Sequence, residues 1–171
     1  MHNIASPDST DPGIERQIQT KGLTAPRVTP AHIMENIDSA HFFTGSQAVF
    51  GADPANSIPP ALGLLTFCVL VLKNGFTVTG ESACASPENF DAGIGRQIAL
   101  ENAKQKIWPL MGYQLKEQLF LESCDAAQLE ALNPGGHPVH TIAMWRAGPC
   151  DTSNTNGYWD WVASQIRGEK L

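Results

Sequence analysis

The fold is decided by the stretch Thr66-Phe67-Cys68-Val69-Leu70-Val71-Leu72, the link Lys73-Asn74-Gly75, and Phe76-Thr77-Val78-Thr79. Both flanking runs are rich in β-branched and aromatic residues, and Asn-Gly tolerates the positive φ angles of a type I′ turn. They therefore predict a β-hairpin from Thr66 to Ser82. With Asn74-Gly75 as the turn, we expect Val71 to face Val78 on one side of the sheet. On the other side, Leu72 faces Thr77 and Leu70 faces Thr79.

The first strand of this hairpin is apolar on both faces, without the alternation of a half-exposed strand. Strands of this kind are usually covered by other elements on both faces of the sheet. We therefore expect a helix on the Val71 side, and another element or a second subunit over Leu70 and Leu72.

Helices are predicted on both sides of the hairpin. Thr29 before Pro30 is an N-cap signature for a short helix over about residues 30–39. Ser86 before Pro87 is another, for a long helix that stops or kinks near Pro109 and then resumes. The predicted core between hairpin and helix consists of Val69, Val71, Phe76, Val78, Ile94 and Ile98.

The predicted fold class is α+β, with an N-terminal helix, an antiparallel sheet built on the hairpin, and long kinked C-terminal helices packed on that sheet. Residues 1–26 are interpreted as a flexible, partly disordered arm and residues 27–121 as the core domain. Residues 122–171 form an extension with a weak helix (125–132), a strand (139–145) and a final helix (158–167).

Composition restricts the function classes. Lys plus Arg total 11 against 17 for Asp plus Glu, so the formal charge is −6 and general nucleic-acid binding is disfavoured. The most apolar run, 62–72, is far shorter than the roughly 20 residues that cross a bilayer. The beginning of the chain lacks the pattern of a secretion signal. A charged fraction of 16% is low, which favours a self-association surface and a homo-oligomer.

Half of the chain resembles an uncharacterised family of small proteins of tailed bacteriophages, of the N4-like and Sf6-like kind. The match runs from Cys68 to Tyr113 and is carried by Cys68–Cys84, Ser86-Pro-Glu-Asn-Phe-Asp91, Ile94-Gly-Arg96, Ile107-Trp-Pro-Leu110 and Gly112-Tyr113, with Val28-Thr29-Pro30 upstream. The resemblance implies a protein that works in the cytoplasm of an infected bacterium. It implies no activity, substrate or catalytic residue, because none is established for the family.

Four residues could hold a metal, namely Cys124, His137, His140 and Cys150. A tetrahedral zinc accepts thiolate and imidazole ligands, but zinc ligands normally come in pairs two to four residues apart. This spacing matches no standard zinc finger. The favoured interpretation is buried free thiols and unrelated loop histidines, with no cofactor.

Two groups of residues are candidates for binding. Arg96, Asn102, Lys104 and Lys106 give the long helix a partly basic surface that could hold a phosphate, although an ordinary solvated face has the same pattern. Trp145, Tyr158, Trp159 and Trp161 crowd the C-terminal segment and could anchor a partner, although core packing is the alternative.

Three functions remain open. The first is a non-enzymatic phage accessory protein that binds a host or defence protein, in host takeover or anti-defence. The second is a sponge that sequesters a nucleotide immune signal. The third is a metal- or thiol-dependent enzyme using Cys84, His137 or Cys150, which ranks last because no activating partner is placed beside a nucleophile.

Overall fold

The computed structural model describes residues 12–55, 57–148 and 157–168. Over these residues the chain is α+β, with seven α-helices and one three-stranded antiparallel sheet. The predicted fold class is therefore confirmed. The chain divides into two compact units, Met1–Tyr113 and Gln114–Leu171. The sequence placed the end of the core domain later, after residue 121.

The first unit begins with helix α1 (Pro12–Thr20), helix α2 (Pro30–Asn36), strand β1 (Ile37–Thr44) and helix α3 (Gly45–Ala52). A 3-10 turn (Pro60–Leu64) then leads into strands β2 (Leu65–Leu72) and β3 (Thr77–Ala83). A second 3-10 turn (Pro87–Asn89) precedes helix α4 (Ala92–Ser123), whose last turns belong to the second unit. That unit also contains helices α5 (Ala126–Leu132), α6 (Ile142–Ala147) and α7 (Tyr158–Arg167).

The sheet has the order β1-β2-β3, so β2 lies in the centre. Along β2, Thr66, Cys68, Leu70 and Leu72 are buried, and Phe67, Val69 and Val71 between them are only partly buried. The buried side, which α4 covers, is called the inner face, and the opposite side the outer face.

The hairpin turn differs from the prediction. The amide of Leu72 donates to the carbonyl of Phe76 at 2.8 Å, and the amide of Gly75 donates to the carbonyl of Leu72 at 2.8 Å. Gly75 has φ +82°, whereas no described residue other than glycine has a positive φ. The link is therefore a three-residue loop with glycine in the left-handed position, and the predicted type I′ turn is wrong.

The longer loop shifts the register by one residue. Val78 pairs with Leu70, and Thr77 pairs with Val71. Because paired residues share a face, this shift places Leu70 and Leu72 on the same side as Val78, where the sequence had placed Val69 and Val71. Leu70 and Leu72, expected to need a second covering element, are the residues that α4 buries.

The predicted core is wrong at five of its six positions, and the register explains two of them, Val69 and Val71. The hydrophobic cluster of the first unit joins the inner face to α4, and Val78 is its only predicted member. Ile94 and Phe76 are exposed, as is Ile98, at 45%. The buried residues of the cluster are Ile33, Cys68, Leu70, Leu72, Val78, Ala99, Ala103 and Ile107.

Glycine allows α4 to lie unusually close to the sheet. A Cβ atom on Gly80 would collide with the carbonyl oxygen of Ala99 and the amide nitrogen of Ala103, which are backbone atoms that cannot move aside. One turn earlier in the helix, a Cβ on Gly95 would lie 2.9 Å from the hydroxyl of Thr66. Small residues on both partners therefore set the distance between helix and sheet.

Helix α4 begins later than predicted. The carboxylate of Asp91 accepts a hydrogen bond from the amide of Ile94 at 2.8 Å, which caps the first turn, whereas Ser86 makes no cap bond. The helix then continues through Pro109 as one element, where the sequence predicted a stop or a kink between two helices.

The segment before the hairpin contains two helices, α1 and α3, and one strand, β1, that the sequence did not predict. The helix capped by Thr29 ends at Asn36, and β1 follows directly with a bulge between Ile37 and Ser39. In the part of the predicted arm that is described, α1 forms a helix, and Arg27 holds the carboxylate of Glu15 through two hydrogen bonds of 2.8 and 2.6 Å.

The second unit confirms two predicted helices and corrects a strand. Asp125 and Gln128 form a capping box at the start of α5, and α7 covers the predicted range. The predicted strand 139–145 is wrong, because the hydroxyl of Thr141 accepts a hydrogen bond from the amide of Met144 at 3.3 Å and starts α6. A separate cluster of Cys124, Leu129, Val162 and Ala163 forms the core of this unit.

Gly80→Ala tests the close approach of α4. Because the new methyl group meets helix backbone, we expect a loss of about 3 kcal/mol or more in the free energy of unfolding by urea. Gly112→Ala is the matched control, since nothing lies within 4 Å of its Cβ position and alanine favours a helix by about 1 kcal/mol. A Gly80→Ala protein as stable as wild type would contradict the packing.

Ile107→Ala compared with Ile98→Ala tests which face of α4 is buried. Ile107 is fully buried, so its truncation should cost about 2–5 kcal/mol in the same unfolding experiment. Ile98 is exposed, so its truncation should cost under about 1 kcal/mol. Equal losses would contradict this difference in burial, and a larger loss at Ile98 would mean that the helix presents the opposite face to the sheet.

Candidate functional site

Arg96, Asn102 and Lys106 of α4 each contact another element of the first unit. The guanidinium carbon of Arg96 lies 6.0 Å from the centroid of the Phe42 ring on β1, a cation–π arrangement. The side-chain amide of Asn102 donates to the backbone carbonyl of Glu81 on β3 at 2.8 Å. The ammonium of Lys106 lies 3.5 Å from the Glu81 carboxylate. Arg96 thus contacts one edge strand, and Asn102 and Lys106 contact the other.

Lys104 is also paired. Its ammonium lies 2.7 Å from the carboxylate of Glu101, and its side chain is only 13% exposed. The four residues considered as a possible phosphate site therefore do not converge on one point. Their arrangement matches a helix surface tied to its own sheet.

The two thiols of the first unit, Cys68 and Cys84, lie in different environments. Cys68 is fully buried on the inner face, and burial raises the pKa of its thiol, with Lys104 opposing that shift. A raised pKa lowers the fraction of reactive thiolate. The thiol of Cys84 donates to the carbonyl of Ser86 at 3.1 Å.

In the second unit the four predicted anchor residues lie together. The ring of Tyr158 lies 6.0 Å from Trp145, 4.8 Å from Trp159 and 6.3 Å from Trp161, measured between centroids. All four side chains are partly buried, and Tyr158, Trp159 and Trp161 pack against the core of the unit. Much of their surface therefore serves internal packing.

Tyr158 also holds the loop that precedes α6. Its hydroxyl accepts a hydrogen bond from the amide of His137 at 2.9 Å and donates one to the carbonyl of His140 at 2.7 Å. The two imidazole rings stack with centroids 5.0 Å apart, and His140 meets Trp161 edge-on. The sequence named these residues separately and did not predict that they form one cluster.

His137 is a hydrogen-bond acceptor in this cluster. Its Nδ1 accepts from the amides of Val139 at 3.3 Å and His140 at 3.0 Å, which assigns the ring proton to Nε2. Burial, and secondarily the neighbouring His140, lower the pKa of His137 below its ordinary value of 6.5. Protonation at Nδ1 would break both bonds.

The metal hypothesis gains no support from the described residues, where no three His, Cys, Asp or Glu side chains lie close enough to share an ion. Cys124 is buried in the core of the second unit, where its thiol donates to the carbonyl of Phe120 at 3.3 Å. Cys150 lies outside the described residues.

The outer face of the sheet is the candidate binding surface. Phe43 of β1 pairs with Phe67 of β2, and their rings stack with centroids 5.5 Å apart. Val69 and Val71 extend this apolar row along β2, and none of the four belongs to either hydrophobic cluster. The absence of alternation in β2 was the sequence signal for this surface, but the wrong register assigned it to Leu70 and Leu72.

No helix in the described ranges is both long enough and apolar enough to cross a membrane.

The lowered pKa of His137 predicts a pH-dependent stability of the second unit. A histidine whose pKa is lower in the folded than in the unfolded chain leaves stability intact above pH about 6.5 and removes it as pH falls below that value. Unfolding by urea, followed by tryptophan fluorescence, should therefore show a falling midpoint between pH about 7.5 and 5.5. His137→Gln, which removes this titration, should flatten the profile. If the urea midpoint of that variant depended on pH as steeply as that of wild type, His137 would not be the source of the pH dependence.

Comparison with known proteins gives a family match that covers most of the first unit. A family model described as Phage protein (N4 Gp49/phage Sf6 gene 66) family matches residues 28–119. Comparisons with curated proteins and with solved structures gave no match. The matched segment contains the complete sheet and most of α4, and it covers more than half of the chain. This protein therefore belongs to the N4 Gp49/Sf6 gene 66 family of phage proteins.

Proposed function

We propose that the protein acts in the cytoplasm of the infected bacterium as a non-enzymatic binding protein that docks a host or defence protein on the outer face of its sheet. The apolar row Phe43, Phe67, Val69 and Val71 carries the proposal, because these side chains are only partly buried and lie outside the hydrophobic core. Membership of a phage family supports the setting.

The chemistry of the outer face suits a protein partner. A stacked aromatic pair offers a large, rigid contact area at low entropic cost, and aromatic residues are over-represented among the residues that dominate binding energies. Polar residues border the apolar row, with His41 on β1 and Thr77, Thr79 on β3 exposed. An apolar centre inside a polar rim is the usual composition of such an interface.

The nucleotide sponge has weaker support. A phosphate site needs several donors that point to one place. Arg96, Lys104 and Lys106 instead pair separately with Phe42, Glu101 and Glu81. The enzyme hypothesis rests on Cys84, His137 and Cys150. Cys84 and His137 are engaged in internal hydrogen bonds, and Cys150 lies outside the described residues.

Affinity purification from infected cells tests the docking surface. Val69→Lys places a charge in the middle of the apolar row and should abolish capture of a host protein that wild type retains in stoichiometric amount. Phe76→Lys is the matched control, because it replaces an exposed apolar residue near the hairpin turn, outside this row, and should leave capture unchanged. Far-UV circular dichroism should show the same helix content in all three proteins.

Two results would contradict the proposal. One is equal capture by wild type and Val69→Lys, and the other is the absence of any stoichiometric host protein. Calorimetry with cyclic and linear nucleotides distinguishes the nucleotide sponge from the protein-docking hypothesis. A saturable heat of binding that Arg96→Ala or Lys106→Ala abolishes would favour the sponge.

A further inference from the structure

The edge of the sheet at β3 has hydrogen-bonding groups directed away from the sheet. The amide of Cys84 bonds to the carbonyl of Leu64 at 3.0 Å, and Leu72 bonds to Phe76. Bonded and non-bonded pairs alternate in an antiparallel ladder, so Thr77, Thr79 and Glu81 direct their amides and carbonyls outward. Among the described residues, a partner is recorded only for the carbonyl of Glu81, which accepts from Asn102. Within the described ranges, no backbone partner bonds the outward groups of Thr77 and Thr79, which leaves them available to another strand.

Helix α4 presents an exposed ridge beside this edge. Its members recur every fourth residue, a spacing that forms one continuous ridge on a helix. Asn102 and Lys106 both contact Glu81, so the middle of the ridge lies along β3. The ridge consists of Ile94, Ile98, Asn102, Lys106 and Leu110, and Tyr113 continues it.

The apolar members of the ridge are unusually exposed. Ile94 is 58% exposed, Leu110 42% and Tyr113 72%. Packing within the first unit does not account for them, because none contributes to its hydrophobic cluster. These exposed apolar residues form two groups, Ile94 with Ile98 and Leu110 with Tyr113, one on each side of the polar pair Asn102 and Lys106, and grouped exposed apolar residues are typical of an interaction site.

The ridge is self-complementary. Two copies related by a two-fold axis between Asn102 and Lys106 would place Ile98 of each copy opposite Leu110 of the other. Asn102 would face Lys106, and Ile94 would face the region of Tyr113. Each apolar residue would meet an apolar one and each polar residue a polar one, as a two-fold interface requires.

The strand edge has the same symmetry. A two-fold axis at Val78 would pair Thr77 with Thr79 of the second copy, and each of the two pairs would make two backbone hydrogen bonds. Threonines opposite each other also stabilise a strand pair. Because Asn102 occupies the carbonyl of Glu81, a register centred on Thr79, which needs that carbonyl, is disfavoured.

One axis can serve both contacts. Gly80 lies against α4 between Ala99 and Ala103. Val78 lies two residues closer to the turn, about 6.6 Å along the strand, which corresponds to about four residues of helix. Val78 is therefore level with the turn of α4 that contains Lys106, within one helical turn of the midpoint of the ridge.

From these observations we propose that two copies of the chain associate through the β3 edge and the α4 ridge into a two-fold dimer with a continuous six-stranded sheet. This inference is independent of the proposed function. The dimer leaves the outer faces of both sheets open and places them side by side, so it would present the candidate docking surface twice.

Sedimentation and light scattering of the full chain over a concentration series test the dimer. Wild type should be dimeric. Ile98→Asp and Leu110→Asp should each weaken association about a hundredfold or more, because each substitution places a charge in both symmetry-related contacts. Gln97→Asp is the matched control, since Gln97 is exposed on the same helix outside the ridge. It should leave association unchanged.

A mixed cross-linking experiment tests the register. Thr77→Cys protein mixed with Thr79→Cys protein should form a disulfide-linked dimer on oxidation, because paired residues of adjacent strands lie at a distance that a disulfide spans. Either variant alone should cross-link no more than wild type. A wild-type monomer at every concentration would overturn the proposal. A dimer unaffected by both ridge substitutions and without the mixed cross-link would also overturn it.

Discussion

The distance between α4 and the sheet is the constraint on which the first unit depends. At Gly80 the helix backbone touches the strand directly, so no side chain can stand between them. The stripe Gly95, Ala99 and Ala103 on α4 provides the matching flat surface, and Ile107, one turn beyond Ala103, is buried in the same cluster. Small residues at the crossing and larger ones beyond it fix the position of the helix by steric exclusion as much as by burial of apolar surface.

This close packing determines which residues remain for binding. Because α4 covers Cys68, Leu70 and Leu72, the alternate residues of β2 are left on the outer face. The same placement brings Asn102 and Lys106 to the backbone and the carboxylate of Glu81. One packing contact therefore produces an apolar outer face, a partly closed strand edge and an exposed helix ridge.

The second unit is organised around Tyr158 and has a different physical character. Its hydroxyl bridges the amide of His137 and the carbonyl of His140, and its ring lies among three tryptophans. The aromatic residues whose number suggested a binding site are thus also structural, since they hold a loop that has little regular backbone bonding of its own. The family match ends at residue 119, so most of this unit lies beyond it.

By itself the sequence determined the elements whose signals are local. The N-cap at Thr29, the helices over 125–132 and 158–167, the hairpin around Gly75, and the family resemblance between Cys68 and Tyr113 could all be read without a structure. Tertiary structure decided the register of the hairpin, the face of α4 that is buried, and the existence of β1. The reason is that a turn of two or three residues can be built from the same Lys-Asn-Gly, while only packing against Gly80 and Ala103 selects between them. A one-residue difference at that turn exchanges the two faces of the sheet, and with them the core and the candidate binding surface.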